Sequence, residues 1–332
     1  MSRAAALLLS AGVLLFIGVL AYAGLPAILA TLSLAGWGLS LVALFHLLPL
    51  VLDAAAIEVL FLCGEPHGTF RDALLTRWVG ESANSLMPAG QIGGPLLMAR
   101  HLSSRGMSMR DAAAAITVST TAQTFAQVTF AVCGASLLGL RANHGPEQVL
   151  QTSALIAGGV LAMQVGGFYL MQRHGLFGRV TRVASRFATK RDWSHWVSQA
   201  ESIDLAVTAT YGRVRSVAAS FSLSLVGWLV GTGEVSLILW LLDHPVNWVN
   251  ALLLESLGQA IRGAGFAVPG ALGIQEGGYL LLAPVAGLPP DTALALSLAK
   301  RAREILLGLP GLLYWHLFGR QRLALSSKQP TD

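Results

Sequence analysis

Lys300, Arg301, Arg303 and Glu304 lie within five residues of one another in an otherwise apolar stretch. At about 100° per residue from Lys300, Arg303 falls near −60°, Glu304 near +40° and Arg301 near +100°. The four therefore fit one half of a helix. Ionisable residues are costly inside a bilayer and turn toward protein or water rather than lipid. Upstream, Glu255, Arg262 and Glu276 punctuate a second apolar stretch, 255–279, which seven glycines and Pro269 interrupt. Arg262, Lys300, Arg301 and Arg303 suit contact with a phosphate or another acidic group, arginine in bidentate fashion. Glu255, Glu276 and Glu304, with Glu234 in the preceding apolar run, are the natural counter-charges. The same set also reads as a purely structural salt-bridge network, and the two roles are compatible.

Glycine and proline weaken or kink a helix. In lipid, irregular backbone persists only where protein or a water-lined cavity covers it. The stretch near 250–287 therefore reads as a re-entrant or broken hairpin, with Pro269, Gly270, Gly273, Gly277 and Gly278 shaping its backbone. Gly277 and Gly278 are expected to allow a turn or a close helix approach.

A similar stretch occurs earlier. Glu81-Ser82 is followed by Pro88, Gly90, Gly93 and Gly94, as Glu255-Ser256 is followed by Pro269 and its glycines, and Asp111 echoes Asp291. The offsets are about 180 residues. Paired Gly/Pro-interrupted segments in two halves of a chain point to a transport site at a repeat interface. The first hairpin is placed near 81–99. Its Glu81, Asn84 and Gln91 either satisfy free backbone groups or contact a polar headgroup. Asp53 is placed deeper in the membrane than Glu58, and the two do not share a helix face.

The 332 residues are 54% hydrophobic and 12% charged, with mean hydropathy +0.62. A soluble domain carries about twice that charged fraction. The reading is an all-α polytopic membrane protein forming one integral membrane domain, 1–332. Apolar runs near 4–24, 34–62, 111–140, 149–171, 216–242 and 291–318 are each long enough to span. With the two hairpins they compose an inverted repeat: a first half 1–147, a span and basic connector 148–215, a second half 216–318 and a tail 319–332. Arg3 and Ala21-Tyr22-Ala23 resemble a signal peptide, but the run is long enough to be an uncleaved first helix. Cys63 and Cys133 suggest neither a disulfide nor a metal site and read as packing residues.

Basic residues orient the chain. Arg71, Arg77, Arg100, Arg105 and Arg110, the connector from Gln172 to Arg215, and Arg320, Arg322 and Lys328 fall on one side. The connections at 25–34 and 243–247 carry no Lys or Arg. Both termini are thereby cytoplasmic, and the hairpins enter from opposite faces. The connector interleaves arginines with Phe177, Phe187, Trp193, Trp196 and Tyr211. It reads equally as a segment lying on an anionic leaflet and as an ordinary cytoplasmic linker. A nucleic-acid partner is not expected, since topology accounts for these charges. No Walker A loop, Gly-x-Ser-x-Gly or His-Glu-x-x-His is present, so neither catalysis nor a metal or cofactor is expected.

Arg77-Trp-Val-Gly-Glu-Ser-Ala-Asn-Ser-Leu-Met-Pro-Ala-Gly-Gln-Ile-Gly-Gly94 resembles a signature of the hopanoid-biosynthesis-associated L proteins. So do Phe266-Ala-Val-Pro-Gly-Ala-Leu-Gly-Ile-Gln-Glu-Gly-Gly-Tyr279, Leu288-Pro-Pro-Asp291 and Lys300-Arg-Ala-Arg-Glu-Ile-Leu-Leu-Gly-Leu-Pro-Gly311. These proteins fall within the larger family resembling the transmembrane region of lysylphosphatidylglycerol synthase/flippase. The resemblance implies a bacterial inner-membrane protein that handles a membrane lipid, phospholipid or hopanoid, with two inverted halves. Pro95 departs from the acidic residue expected after the Gly-Gly pair. The chain ends about a dozen residues after its last apolar run, so the aminoacyl-transfer activity of the synthase is not carried over. A lipid translocase is the expected function. The alternative is a non-transporting membrane scaffold that recruits lipid or hopanoid enzymes through the basic connector.

Overall fold

The fold is taken from a computed structural model, which describes residues 26, 30, 33–61, 68–87, 93–141, 152, 159, 162–163, 165–187, 194–265 and 268–319. Among these there is no strand. Three helical stretches are long and apolar enough to cross a membrane: Gly38–Glu58, Met109–Leu140 and Val214–Leu241. The expected spans at 34–62, 111–140 and 216–242 correspond to them. The expected span at 4–24 and most of that at 149–171 lie outside the described residues.

The first of these stretches is broken in the middle, into α1 (Gly38–Phe45) and α2 (Leu47–Glu58). Pro49 explains the break. It has no N–H to donate to Phe45, and its ring crowds that carbonyl. The interruption is slight: His46 keeps near-helical dihedrals (φ −63°, ψ −16°), and its own N–H still reaches the Val42 carbonyl at 3.0 Å.

Helix α3 (Phe70–Leu86) starts with a capping box between Thr69 and Asp72. It stops at Met87, which is extended (φ −92°, ψ 141°), as a residue preceding proline prefers. Helix α4 (Gly93–Ser104) returns alongside it. This first hairpin is longer than the expected 81–99. Helix α5 (Met109–Arg141) follows, then α6 (Leu176–Phe187) and α7 (Ser194–Gly212), and then α8 (Val214–Leu241), which packs on α2 and α5.

The second hairpin is α9 (Trp248–Ala264), a short 3-10 turn at Pro269–Ala271, and α10 (Ile274–Ala286). Asn247 caps its start, accepting from the Asn250 N–H at 2.9 Å. Gly287 in the left-handed region ends it. Helix α11 (Pro290–Tyr314) closes the bundle, and a π-helical turn follows over Trp315–Gly319.

Helix α11 serves as a ruler for the two hairpins. Its first turns pack with Leu254, Leu282 and Leu288 at the open end of the second hairpin. Its middle reaches the hairpin tips, where Arg301 donates to the Gly270 and Ala271 carbonyls at 2.6 and 3.2 Å. Further on, Trp78 donates to the Leu307 carbonyl at 2.9 Å. At its far end Tyr314 meets His101 and Arg105 of the first hairpin. Twenty-five residues of helix span about 37 Å. The hairpins therefore approach from opposite ends of α11 and meet halfway. A Cβ built on Gly270 would lie 3.4 Å from the Ser85 carbonyl oxygen of the first tip.

The connector folds as α6 on α7. Asp204 accepts from the Phe177 and Gly178 N–H groups at 3.0 and 2.7 Å, which fixes the start of α6. Arg179, Val180, Arg182 and Val183 are exposed along it. Cys133 is also exposed, on the surface of α5. This corrects its reading as a packing residue; Cys63 lies outside the described residues.

Candidate functional site

A cavity of about 220 Å³ lies where the two tips meet. Its walls come from α2, α3, α4, α5, α8, α9 and α11. Asn84 and Ser85 of the first tip and Gly270 and Ala271 of the second line it, together with Thr124 and Gln127 of α5.

Helix α11 places Lys300, Arg303 and Glu304 on the cavity wall, and all three are buried. Lys300 Nζ donates to Glu255 Oε2 at 2.7 Å and lies 3.7 Å from Glu234 Oε1. Glu255 also accepts from Gln259 Nε2 at 2.9 Å. Arg303 stands 3.5 Å from both Glu234 and Glu81. Arg262 pairs with Glu304 and donates to Gln275 Oε1 at 2.8 Å. Gln275 in turn donates to Ser297 Oγ at 2.9 Å.

Each cation expected from the sequence thus has a carboxylate partner. The expected pairings of this cluster with Glu234, Glu255, Glu276 and Glu304 all occur. The cations do not play one role. Arg301 and Glu276 are absent from the cavity wall. Arg301 Nε donates to Glu276 Oε1 at 3.0 Å while its other nitrogens hold the tip carbonyls. Glu276 also accepts from the Gly273 N–H at 2.7 Å and from Ser297 Oγ at 3.2 Å. The pair clamps the broken turn in place.

The glycines divide in the same way. Gly270 (φ 62°) and Gly273 (φ 76°) occupy the left-handed region, where a Cβ is strained. Gly94 lets its N–H approach Asn84 Oδ1 to 3.0 Å, and a Cβ there would collide with the same amide. Gly278 packs against α9, where a Cβ would come within 2.9 Å of Ile261. The expectation for Gly277 is corrected: a Cβ there meets nothing within 4 Å. Gly93 opens α4. Pro269 begins the 3-10 turn. Pro88, Gly90 and Gln91 lie outside the described residues.

Three participants were not anticipated as a site. His46, freed by the break before Pro49, has Nδ1 2.6 Å from Glu234 Oε2 and Nε2 2.7 Å from Glu81 Oε1. Asp53 lies 2.7 Å from Arg77 and accepts from Gln123 Nε2 at 2.7 Å. Arg77 was counted among the cytoplasmic topology charges. That is corrected: it lines the cavity, largely shielded, held by Asp53 and by Gln123 Oε1 at 3.3 Å. Arg213, also counted there, donates to the Val59, Leu60 and Phe61 carbonyls at the end of α2. A spacing signal for the first set existed. His46 and Asp53 are seven residues apart, and Arg77 and Glu81 are four apart, so each pair shares a helix face.

The arrangement is a charged, protein-walled chamber at the middle of a helical bundle, lined by residues beside two opposed hairpin tips. Among the described residues no group of three or more His, Cys, Asp or Glu side chains is placed to hold a metal ion. No curated protein and no solved structure matches the chain. Residues 3–311 match the family described as the lysylphosphatidylglycerol synthase TM region. That match covers both hairpins and every residue of the chamber, and the chain accordingly belongs to the lysylphosphatidylglycerol synthase transmembrane-region family.

Proposed function

We infer that this protein moves a membrane lipid between leaflets, its headgroup passing through the chamber between the hairpin tips while the acyl chains stay in the bilayer. The chamber carries this reading. Ten ionisable side chains line a space enclosed by helices and reached from both ends of the bundle by a broken hairpin. A purely structural network would fill that space with side chains. Arg77 Nε is buried without a hydrogen-bond partner in the protein, and Arg303 Nε and Glu234 Oε1 meet only at ion-pair distance, 3.5 Å, so hydrogen bonds within the protein do not saturate the network. Family membership gives the lipid connection. In this reading Lys300, Arg303, Arg262 and Arg77 exchange carboxylate partners for headgroup oxygens, while Arg301 and Glu276 hold the tip. Glu81 and Asn84 stand at the first tip, where a headgroup enters.

The protein works as a transporter rather than an enzyme, in the bacterial inner membrane with both termini cytoplasmic. Its substrate is a phospholipid or a hopanoid. The test is dithionite quenching of an acyl-labelled fluorescent phospholipid in proteoliposomes of phosphatidylethanolamine and phosphatidylglycerol, repeated with hopanoid added. Wild-type protein should expose inner-leaflet label, and Arg303→Met should slow that exposure at least about tenfold in folded protein. Unchanged lipid movement in Lys300→Met, Arg303→Met and Arg262→Met would move the scaffold reading ahead. In that case the exposed basic face of α6 becomes the surface to study.

A further inference from the structure

The chamber does not balance its own charge. Counting the clamp, six carboxylates (Asp53, Glu81, Glu234, Glu255, Glu276 and Glu304) are joined by ion pairs to five permanent cations (Arg77, Arg262, Lys300, Arg301 and Arg303). One negative charge is left over in a protein interior, where an uncompensated charge is expensive. The sixth counter-charge has an evident place. His46 lies between Glu234 and Glu81, with one ring nitrogen on each carboxylate at 2.6 and 2.7 Å. A neutral imidazole has one N–H and satisfies only one of those contacts; with a proton on each nitrogen it satisfies both.

The surroundings bear on this from every side. Helix α3 presents Arg77 and Glu81, α8 presents Glu234, and α2 presents Asp53. Helix α9 presents Glu255 and Arg262, and α11 presents Lys300, Arg303 and Glu304. The contact opposing a proton is Arg303 Nη1, 2.8 and 2.6 Å from the two ring nitrogens. That same guanidinium is 3.5 Å from both carboxylates, so two anions and one cation compete around the imidazole.

We propose that the Glu81–His46–Glu234 bridge is a proton-binding site in the chamber wall, and that its single proton gates the passage of anionic headgroups. The gating rests on the lipid-transport reading; the proton site does not. With the proton bound, as N–H on His46 taken from water, the described network is neutral. With it released, the network carries one net negative charge and repels an anionic headgroup. Lipid movement then falls as pH rises, more for phosphatidylglycerol than for zwitterionic phosphatidylethanolamine.

The full-length protein labelled with ¹⁵N-histidine, in vesicles of those two lipids, decides this in two arms. The His46 signal is assigned by its loss in His46→Gln and its shift in Glu81→Gln, a milder change at the chamber rim. The expected result is an imidazolium at pH 7. Its deprotonation on raising the pH should track a fall of at least about fivefold in phosphatidylglycerol movement, with a flat profile in His46→Gln. A neutral His46 at pH 7 overturns the proton site whatever the lipid assay shows. An imidazolium that titrates while lipid movement stays level overturns the gating. An imidazolium in a protein that moves no lipid at any pH supports the proton site and refutes the transport reading. If His46→Gln does not fold, Glu81→Gln with the wild-type titration decides both arms.

Discussion

Replacing Lys300 by methionine removes one partner of a fully enclosed, hydrogen-bonded ion pair in the chamber. Lys300 and Glu255 side chains are each 3% exposed, with 2.7 Å between Nζ and Oε2. At that distance the Coulomb attraction is about 6 kcal/mol for an effective dielectric constant of ~20. Desolvation of both groups offsets much of it. What remains decisive is the unpaired charge left by a single substitution, which costs about 3–5 kcal/mol. Glu255 would retain only the Gln259 amide. Glu234, the more distant neighbour at 3.7 Å, keeps Arg303 and His46 and adds little to the loss. Glu255→Gln leaves Lys300 with only the more distant Glu234 at 3.7 Å, a smaller loss of the same kind. The double variant Lys300→Met/Glu255→Gln leaves two neutral groups and should recover most of either loss. The assay is a double-mutant cycle read by thermal and denaturant unfolding in detergent, beside lipid translocation of the same preparations. The expected coupling is about 2–3 kcal/mol, with stability recovered in the double variant and translocation still impaired. Two single losses that add to within about 0.5 kcal/mol would refute the pairing. Full translocation in the double variant would refute a transport role for Lys300.

The two adjacent glycines of α10 should behave differently. Gly278→Val meets Ile261 and should cost more than about 2 kcal/mol through overpacking. Gly277→Ala enters open space in a helix and should leave the melting temperature unchanged or raise it, by up to about 1 kcal/mol of stability. Reporter fusions at Arg191 and at Pro245 should read cytoplasmic and periplasmic respectively, and a cytoplasmic signal at Pro245 would contradict the opposed entry of the two hairpins.

The hairpins were legible because they break two rules at once. A lipid-facing helix would not carry seven glycines, a proline and three charges over 255–279. The expected one-sided placement of basic residues predicts opposite entry of the hairpins, and in the structure they approach α11 from its two ends. The α11 cluster was legible from helical angles alone, because Lys300, Arg301, Arg303 and Glu304 cannot all avoid lipid except on one face. The division of labour within it was not. Whether Arg301 reaches the chamber or the tip depends on the left-handed turn at Gly270 and Ala271, a tertiary feature. Arg77 was misassigned for a related reason. An arginine near a span end counts toward topology until the helix is seen to continue past it. His46 was hidden by an apolar context; its traces were the seven-residue spacing to Asp53 and the nearby Pro49, which weakens the helix there.

The central claim is that a lipid headgroup occupies the chamber between the tips. A phospholipid carrying a diazirine on its headgroup, photolysed in vesicles with the wild-type protein and mapped by mass spectrometry, tests it most directly. The account predicts adducts on chamber segments: residues 81–85 of α3, 124–127 of α5 and 300–304 of α11. Adducts confined to the outward-facing Leu229, Leu281 and Leu309, with none on those segments, would contradict it.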